Sequence, residues 1–329
     1  MNQALTLIIG AAGAIGKALT AGILEKHGEK SVLAALRNTA LEEPLASRVV
    51  SEFGVDVQNE ESLRELFAKH AGEVEVVWNL AAPLSVDTAK DPKVAFDVTV
   101  GGMERLLKVM QKSAVKRICF SDSIGSFGAE SPRENASAAW LTEHPTQDPG
   151  SDYGIQKRGC RELMKRFADE HDFDTRFTVI PGVLHAESTW GGGTTEYALD
   201  ALLAAVEGRE FVCPVPTDEA LPMIYRDDLV RGMIALMDAP REALKEPEQG
   251  YVLAGFSFTA EELFAEIRKH YPEFSYRVDL NPSAATFAKL WPNTVSGEAA
   301  KRDLEFEAKF GLPETVLTIL QAHQARLNS

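Results

Sequence analysis

The chain has 329 residues, enough for a core domain that carries a smaller lobe. Apolar residues make up 45% and charged residues 25%, the balance of a globular protein able to close a core. A formal net charge of -15 without any Lys/Arg-rich run excludes nucleic acid as an expected partner. No apolar stretch reaches the roughly eighteen residues of a membrane-spanning helix, so no membrane is expected either. The three cysteines, Cys119, Cys160 and Cys213, match no metal spacing and read as buried thiols of a reducing compartment. The seven histidines form no HExxH-type cluster, so no metal is expected. The apolar run near the N-terminus has no basic segment before it and carries a glycine motif. It reads as a first strand and not as a signal peptide, and the chain is expected in the cytoplasm.

In chain order, residues 5–9 predict a strand. Gly10, Gly13 and Gly16 follow in the run GAAGAIG, at the start of a helix over 14–27. A dinucleotide-binding turn needs this context. Gly10 permits the tight turn, Gly13 admits the pyrophosphate to the backbone, and Gly16 lets the helix sit close to the sheet. The helix N-terminus then offers free N–H groups to phosphates. A second strand is expected at 31–36, a third at 49–53 before Asp56, and a helix over 60–70. Residues 74–80 predict an apolar strand broken by Glu75 and ending in Asn79-Leu80. Residues 91–113 predict one long helix despite Gly101 and Gly102. The next strand, 115–120, leads into a polar loop from Ser121 to Gly128. A helix is expected from Tyr153 to about residue 171, then a strand over 176–180 that stops at Pro181 and Gly182.

Strands alternating with helices of this length predict an α/β fold: a Rossmann-type, doubly wound parallel sheet with helices on both faces. Ligands of such sheets sit at the carboxyl ends of the strands, where the interesting residues fall. After residue 182 the rhythm changes. Gly191 to Gly193 read as a hinge, a helix is expected over 194–208 and another over 261–270. The expected organisation is therefore a dinucleotide-binding domain, mainly 1–182, and a smaller substrate-binding lobe, mainly 183–329, with chain segments crossing between them.

Tyr153 and Lys157 stand four residues apart, on one helical face. An ordinary tyrosine, with a pKa of about 10, is a poor base, and reaching about 7 takes roughly 4 kcal/mol of preference for phenolate. A neighbouring ammonium and a nicotinamide ring supply such a field. Lys157 is also placed to hold the nicotinamide ribose. Ser123, at a strand end, is placed to hold the substrate oxygen.

With these residues the sequence resembles the short-chain dehydrogenase/reductase superfamily in its extended, epimerase-like branch. Within that branch it resembles the short-chain L-threonine 3-dehydrogenases, over nearly the whole chain. Beyond the glycine loop, the segment from Asn79 to Ser85 is similar to a cofactor- and substrate-lining LAALLS segment. Ser121 to Gly128 takes the place of the SSxxVFG loop. The runs GGGTTEY (191–197), LPMIYRDD (221–228), the segment 251–259 and Trp291-Pro292 resemble the group's more specific segments. The resemblance implies Ser123, Tyr153 and Lys157 as catalytic residues. It implies a cofactor site of Gly10, Ala12, Gly13, Ala14, Ile15, Gly16, Arg37, Asp56, Val57, Leu80, Ala81, Ala82, Tyr153, Lys157 and Pro181. The substrate would meet Ser85, Ser123, Tyr153, Gly182, Thr194 and Thr195. For Thr194 the alternative duty is to cap the helix that begins there.

Three departures stand out. Leu36 and Arg37 follow the second strand, where NAD enzymes of this kind carry an Asp. Leucine cannot bind a ribose diol, and arginine pairs with a 2′-phosphate, so NADP is favoured over NAD. Ser121-Asp122 replaces the usual Pro-Ser, and Pro83 replaces Leu. The implied activity is oxidation of the 3-hydroxyl of a small β-hydroxy amino acid, L-threonine first, to 2-amino-3-ketobutyrate. Alternatives are an NADP-dependent dehydrogenase of another small hydroxy or keto acid, a sugar-nucleotide epimerase with the same Ser-Tyr-Lys set, and a cofactor-sensing protein without turnover. The resemblance also implies a homodimer through the helices at 91–113 and 153–171.

Overall fold

The computed structural model describes residues 4–83, 85–187, 193–245 and 249–328, the side chains of residues 86 and 87 excepted. The strands are β1 (Leu5–Ile9), β2 (Val32–Leu36), β3 (Val50–Phe53), β4 (Val74–Asn79), β5 (Arg117–Ser123), β6 (Asp174–Ile180), β7 (Gly182–Leu184), β8 (Phe211–Cys213), β9 (Ala220–Tyr225), β10 (Tyr251–Val252), β11 (Phe256–Thr259) and β12 (Tyr276–Val278). The chain divides into two compact units. The first comprises Met1–Ser123, Asp152–Val179 and Val230–Tyr251; the second comprises Ile124–Ser151, Ile180–Leu229 and Val252–Ser329.

The first unit is built on a seven-stranded sheet in the order β10-β6-β5-β4-β1-β2-β3. The pairs β1–β2, β1–β4, β2–β3 and β4–β5 are parallel. The order turns back at β1, with β2 on one side and β4 on the other. The carboxyl ends of β1 and β4 therefore flank the crevice in which doubly wound sheets bind ligands. β1 (LTLII) and β2 (VLAAL) are buried along their whole length, as strands covered on both faces must be. Helices Ala14–His27, Glu60–Lys69, Gly102–Gln111 and Asp152–His171 flank the sheet, so the expected α/β, Rossmann-type architecture is the one adopted. Leu7, Leu33, Val77 and Ile118 of the strands and Leu63, Leu106, Met110 and Met164 of the helices are fully buried in one cluster. Each such side chain contributes ~1.5–3 kcal/mol over exposure, so the apolar stripes hold the helices down.

Local structure departs from expectation at several points. The long helix at 91–113 is interrupted: Pro92–Phe96 is α-helical, Asp97–Gly101 is π-helical, and the α-helix resumes over Gly102–Gln111. The glycine pair stands where the π segment gives way to the α-helix. A Cβ on Gly102 would lie 2.9 Å from Cβ of Val57, so the helix backbone rests directly on that side chain. The Thr99 carbonyl inside the π segment accepts the Cys160 thiol at 3.3 Å. β5 runs past Phe120 to Ser123, and Ile124–Ser126 forms a 3₁₀ turn where a polar loop was expected. Ser121 and Asp122 are polar but buried, because a neighbouring helix satisfies them. Ser85–Lys90 forms a short helix that periodicity does not signal.

In the second unit β11-β9-β7 form a three-stranded sheet, β7–β9 parallel and β9–β11 antiparallel, and β8 pairs with β12 in parallel. The rings of Phe211, Phe264, Phe274 and Tyr276 pack together, Phe264 and Tyr276 with centroids 4.2 Å apart. Asp228 is buried and its Oδ2 accepts the N–H groups of Lys309 and Phe310 at 2.7 and 2.9 Å. Of the expected hinge, residues 191 and 192 lie outside the described residues. The helix expected over 194–208 opens as a 3₁₀ turn, Thr194–Glu196, before the α-helix Tyr197–Glu207. No helix among the described residues is long and apolar enough to cross a membrane.

Candidate active site

β1 ends at Ile9, and Gly10 follows at φ +87°, in the left-handed region that only glycine enters freely. A Cβ there would lie 3.0 Å from the Leu80 carbonyl carbon and 3.1 Å from the Ala81 nitrogen. The Leu80 N–H donates to the Ile9 carbonyl at 2.9 Å. The loops after β1 and β4 thus touch backbone to backbone at the switch point, which brings the expected Gly10, Leu80 and Ala81 together. Gly13 donates its N–H to the Gly10 carbonyl at 3.1 Å and is the N-cap of Ala14–His27. A Cβ on Gly16 would run into the Gly10 carbonyl oxygen and the Ala11 backbone. Gly13 and Ala14 are exposed, Ala12 and Ile15 half-buried, and the first helical turn holds no acidic residue. The orphan N–H groups of that turn therefore meet an approaching anion without repulsion. Glycine backbone in the places where a Cβ would intrude, beside an open helix N-terminus, fits a dinucleotide pyrophosphate.

β2 and β3 carry the residues expected at the adenosine end of a dinucleotide. Leu36 closes β2 and is buried; Arg37 is exposed, and among the described residues no hydrogen bond or ion pair reaches its guanidinium. Asp56 is half-buried, its Oδ1 accepting the Gln58 N–H at 2.9 Å, while Val57 is buried. Gln58 Nε2 donates to Asp97 Oδ2 at 2.8 Å, and Arg105 pairs with the other oxygen of that carboxylate. Arg105, and after it Gln58, hold the Asp97 carboxyl below its ordinary range. The π segment thereby pins the Asp56–Val57 loop.

The helix Asp152–His171 carries Tyr153, Lys157 and Arg161 on one face. Lys157 is buried. Its Nζ donates to the Ser121 carbonyl at 2.7 Å and lies 4.8 and 5.5 Å from the ring centroids of Phe120 and Tyr153. Ser123, the last residue of β5, is half-buried, as is Tyr153. The structure thus brings Tyr153 onto Lys157 and Lys157 onto the strand end that bears Ser123. It also shows two residues that sequence reasoning left without a role. Asp122 Oδ2 takes Nε and Nη2 of Arg161 at 3.1 and 2.7 Å, both partners being almost fully buried. The sequence signal was partial: an arginine one turn beyond Lys157, on the same helical face.

Ser85 belongs to the first unit, at the head of its short helix, and is half-buried. In the second unit Pro181 precedes Gly182, which opens β7. A Cβ on Gly182 would lie 2.6 Å from Cβ of Thr195, so these two predicted residues are in contact. Thr194 does not cap its helix. The N-cap is Gly193, whose N–H donates to Glu196 Oε2 at 2.6 Å, while the Glu196 N–H returns to the Gly193 carbonyl at 2.9 Å. The cap duty lies with Glu196 and leaves the Thr194 hydroxyl out of it.

The three cysteines are buried and free, and burial pushes the thiols of Cys119 and Cys160 up to about 12. They are unsuited to nucleophilic chemistry. Among the described residues no group of His, Cys, Asp or Glu is arranged to hold a metal ion.

The family model for NAD dependent epimerase/dehydratase proteins matches residues 6–252. A mitochondrial L-threonine 3-dehydrogenase of Sus scrofa is 30% identical, over 98% of this chain and 84% of its own length. An uncharacterised epimerase/dehydratase of Staphylococcus haemolyticus is 29% identical over 96% of each chain. Among solved structures, a GalE-like L-threonine dehydrogenase from Cupriavidus necator in its holo form superposes with a TM-score of 0.87 at 29% identity, over 96% of this chain and 99% of that one. A monomeric L-threonine 3-dehydrogenase from a metagenome gives a TM-score of 0.87 at 30% identity, over 99% and 100% of the two chains. The chain belongs to the NAD-dependent epimerase/dehydratase family, the extended branch of the short-chain dehydrogenases/reductases, and is an oxidoreductase of CH–OH groups.

Proposed function

We propose that the chain oxidises the 3-hydroxyl of a small β-hydroxy amino acid, L-threonine first, to the 3-keto acid, which from threonine is 2-amino-3-ketobutyrate. The carrying observation is the Tyr153–Lys157 pair, held by one helix against the strand end that bears Ser123. Bound NAD or NADP supplies the hydride acceptor. Tyr153 takes the proton of the substrate hydroxyl as general base and returns it as acid in the reverse direction. The Lys157 ammonium stabilises negative charge developing on the Tyr153 oxygen, and the Ser123 hydroxyl orients the substrate oxygen. We assign Ser85, Thr194 and Thr195 to the carboxylate or ammonium end of the amino acid, and Gly182 to substrate contact. In this reading the first unit binds the dinucleotide, and the second supplies substrate contacts. The threonine dehydrogenases among the relatives support the substrate choice. The deciding assay follows reduced cofactor released with L-threonine and other small hydroxy acids, beside interconversion of UDP-sugars. Stoichiometric reduced cofactor with L-threonine bears the reading out; epimerisation of a UDP-sugar without net reduced cofactor refutes it.

For the cofactor we propose NADP at least as readily as NAD, because Arg37 stands exposed at the end of β2 with no ion pair among the described residues. Arg37→Ala should weaken NADP binding about tenfold, the loss of a charge-assisted contact, and leave NAD within about twofold. Isothermal titration with each cofactor reads both numbers. An unchanged ratio makes Arg37 a solvated surface residue. We also propose a homodimer through the helical segments at 91–113 and 153–171, where Val94, Phe96 and Ile155 are exposed apolar side chains. Sedimentation that shows only monomer at micromolar concentration refutes it, and the metagenome relative is described as a monomer. The buried free thiols support a cytoplasmic location.

A further inference from the structure

We infer that Asp122, clamped by Arg161, is a positioning residue that fixes how Ser123 is presented to the Tyr153–Lys157 pair; the inference rests on the catalytic reading above. Asp122 is 1% and Arg161 2% exposed, deep enough that each charge depends on its partners. The carboxylate is used on both sides. Oδ2 takes the two guanidinium donors of Arg161, and Oδ1 accepts the backbone N–H of Ser123 at 2.8 Å. The guanidinium is itself fixed from elsewhere. Its Nη1 donates to the Gln249 carbonyl at 2.7 Å, and its Cζ lies 5.2 Å from the Phe177 ring centroid.

Two cations one helical turn apart thus bind consecutive residues of β5: Lys157 the Ser121 carbonyl, Arg161 the Asp122 carboxylate. The next residue along the strand is Ser123. Helix and strand end cannot slide or rotate past each other without breaking both links. The second link passes straight into the peptide group that carries the Ser123 side chain. A buried ion pair adds little net stability over an apolar pair of the same volume. What this one adds is geometry, because three consecutive strand residues and three helix residues at intervals of four are held in one arrangement. A shift of about 1 Å in such an arrangement is enough to cost on the order of 100-fold in rate.

The test is a double-mutant cycle with a second, substrate-free readout. Asp122→Ala and the nearly isosteric Asp122→Asn are each made in the natural chain and in Ser123→Ala. In the natural chain Asp122→Ala should lower kcat on the order of 10- to 100-fold, with KM for L-threonine and the Kd for the cofactor within about twofold. In the Ser123→Ala background the same substitution should cost less than about twofold, since its effect passes through a hydroxyl already removed. Equal factors in the two backgrounds mean a general structural role and overturn the inference. Independently, hydrogen exchange at the Ser123 amide should quicken about tenfold or more in Arg161→Gln and in Asp122→Asn, while the Cys119 amide within β5 keeps its protection. Unchanged Ser123 exchange in Asp122→Asn, the variant that best preserves shape, overturns the inference. Absence of any threonine oxidation by the natural chain removes the substrate reading alone, and the exchange arm then decides the clamp.

Discussion

Tyr153→Phe should lower kcat at least ~100-fold, the lower end of what a positioned acid/base contributes, and leave cofactor affinity within about twofold. The substitution removes one oxygen and keeps the ring that faces the Lys157 ammonium at 5.5 Å, so the helix and its link to Ser121 stay in place. Lys157→Ala is a blunter instrument. It leaves the Ser121 carbonyl without its donor and opens a hole at a buried position, so stability and cofactor binding fall along with rate. The phenylalanine variant isolates the hydroxyl. Steady-state rates at saturating substrate, with cofactor affinity from fluorescence titration, give both quantities, and near-natural turnover would remove Tyr153 from its role.

The largest loss of stability is expected from Asp174→Ala, on the order of 3–5 kcal/mol. Asp174 begins β6 and binds two arginines: Arg117 through Nε at 2.8 Å, Arg176 through Nε and Nη2 at 2.8 and 2.7 Å. Arg176 is wholly buried, and removing its carboxylate strands a charge in the core. Burial pushes the Asp174 carboxyl upward, but Arg176 and then Arg117 outweigh it, and the net shift is below its ordinary value. The folded state thus holds the proton less tightly than the unfolded chain. The stabilisation is therefore complete above the ordinary carboxylate pKa and is lost as the pH falls through the lower folded value. Urea unfolding at neutral pH should show the full gap between the natural chain and the variant, and the gap should narrow in strong acid. A constant gap across that range would mean that the loss is one of packing and not of charge.

What the sequence displayed were features whose partners stand close along the chain. Three glycines within seven residues mark the turn after β1, and Tyr153 with Lys157 mark one helical face, because both patterns are set by local geometry. Runs such as LTLII and VLAAL declare buried parallel strands for the same reason. Where the reading stopped, the partner was distant. Asp122 looked like part of a polar loop because Arg161, 39 residues on, cannot be paired with it from spacing. The break at Asp97–Gly101 was hidden because the contact next to it, between Gly102 and Val57, is with a side chain distant in sequence. Capping was the alternative duty for Thr194 because threonine often is a cap, while the structure gives it to Glu196 reaching back to Gly193.

The interleaved course of the chain bears on how a ribosome delivers it. Arg176 spends Nη1 on the carbonyls of Met237 and Ala239, Arg161 reaches Gln249, and the surface at Gly22 is met by Val230 and Ile234. All of these come from Val230–Tyr251, which emerges only after the whole of Ile180–Leu229 has been made. A nascent chain halted near residue 182 holds two arginines whose carbonyl acceptors do not yet exist and an uncovered helix flank. The first unit is therefore not a fragment to be released by truncation or by a protease cut after β6; it closes late, on sequence that translation supplies last of all its parts.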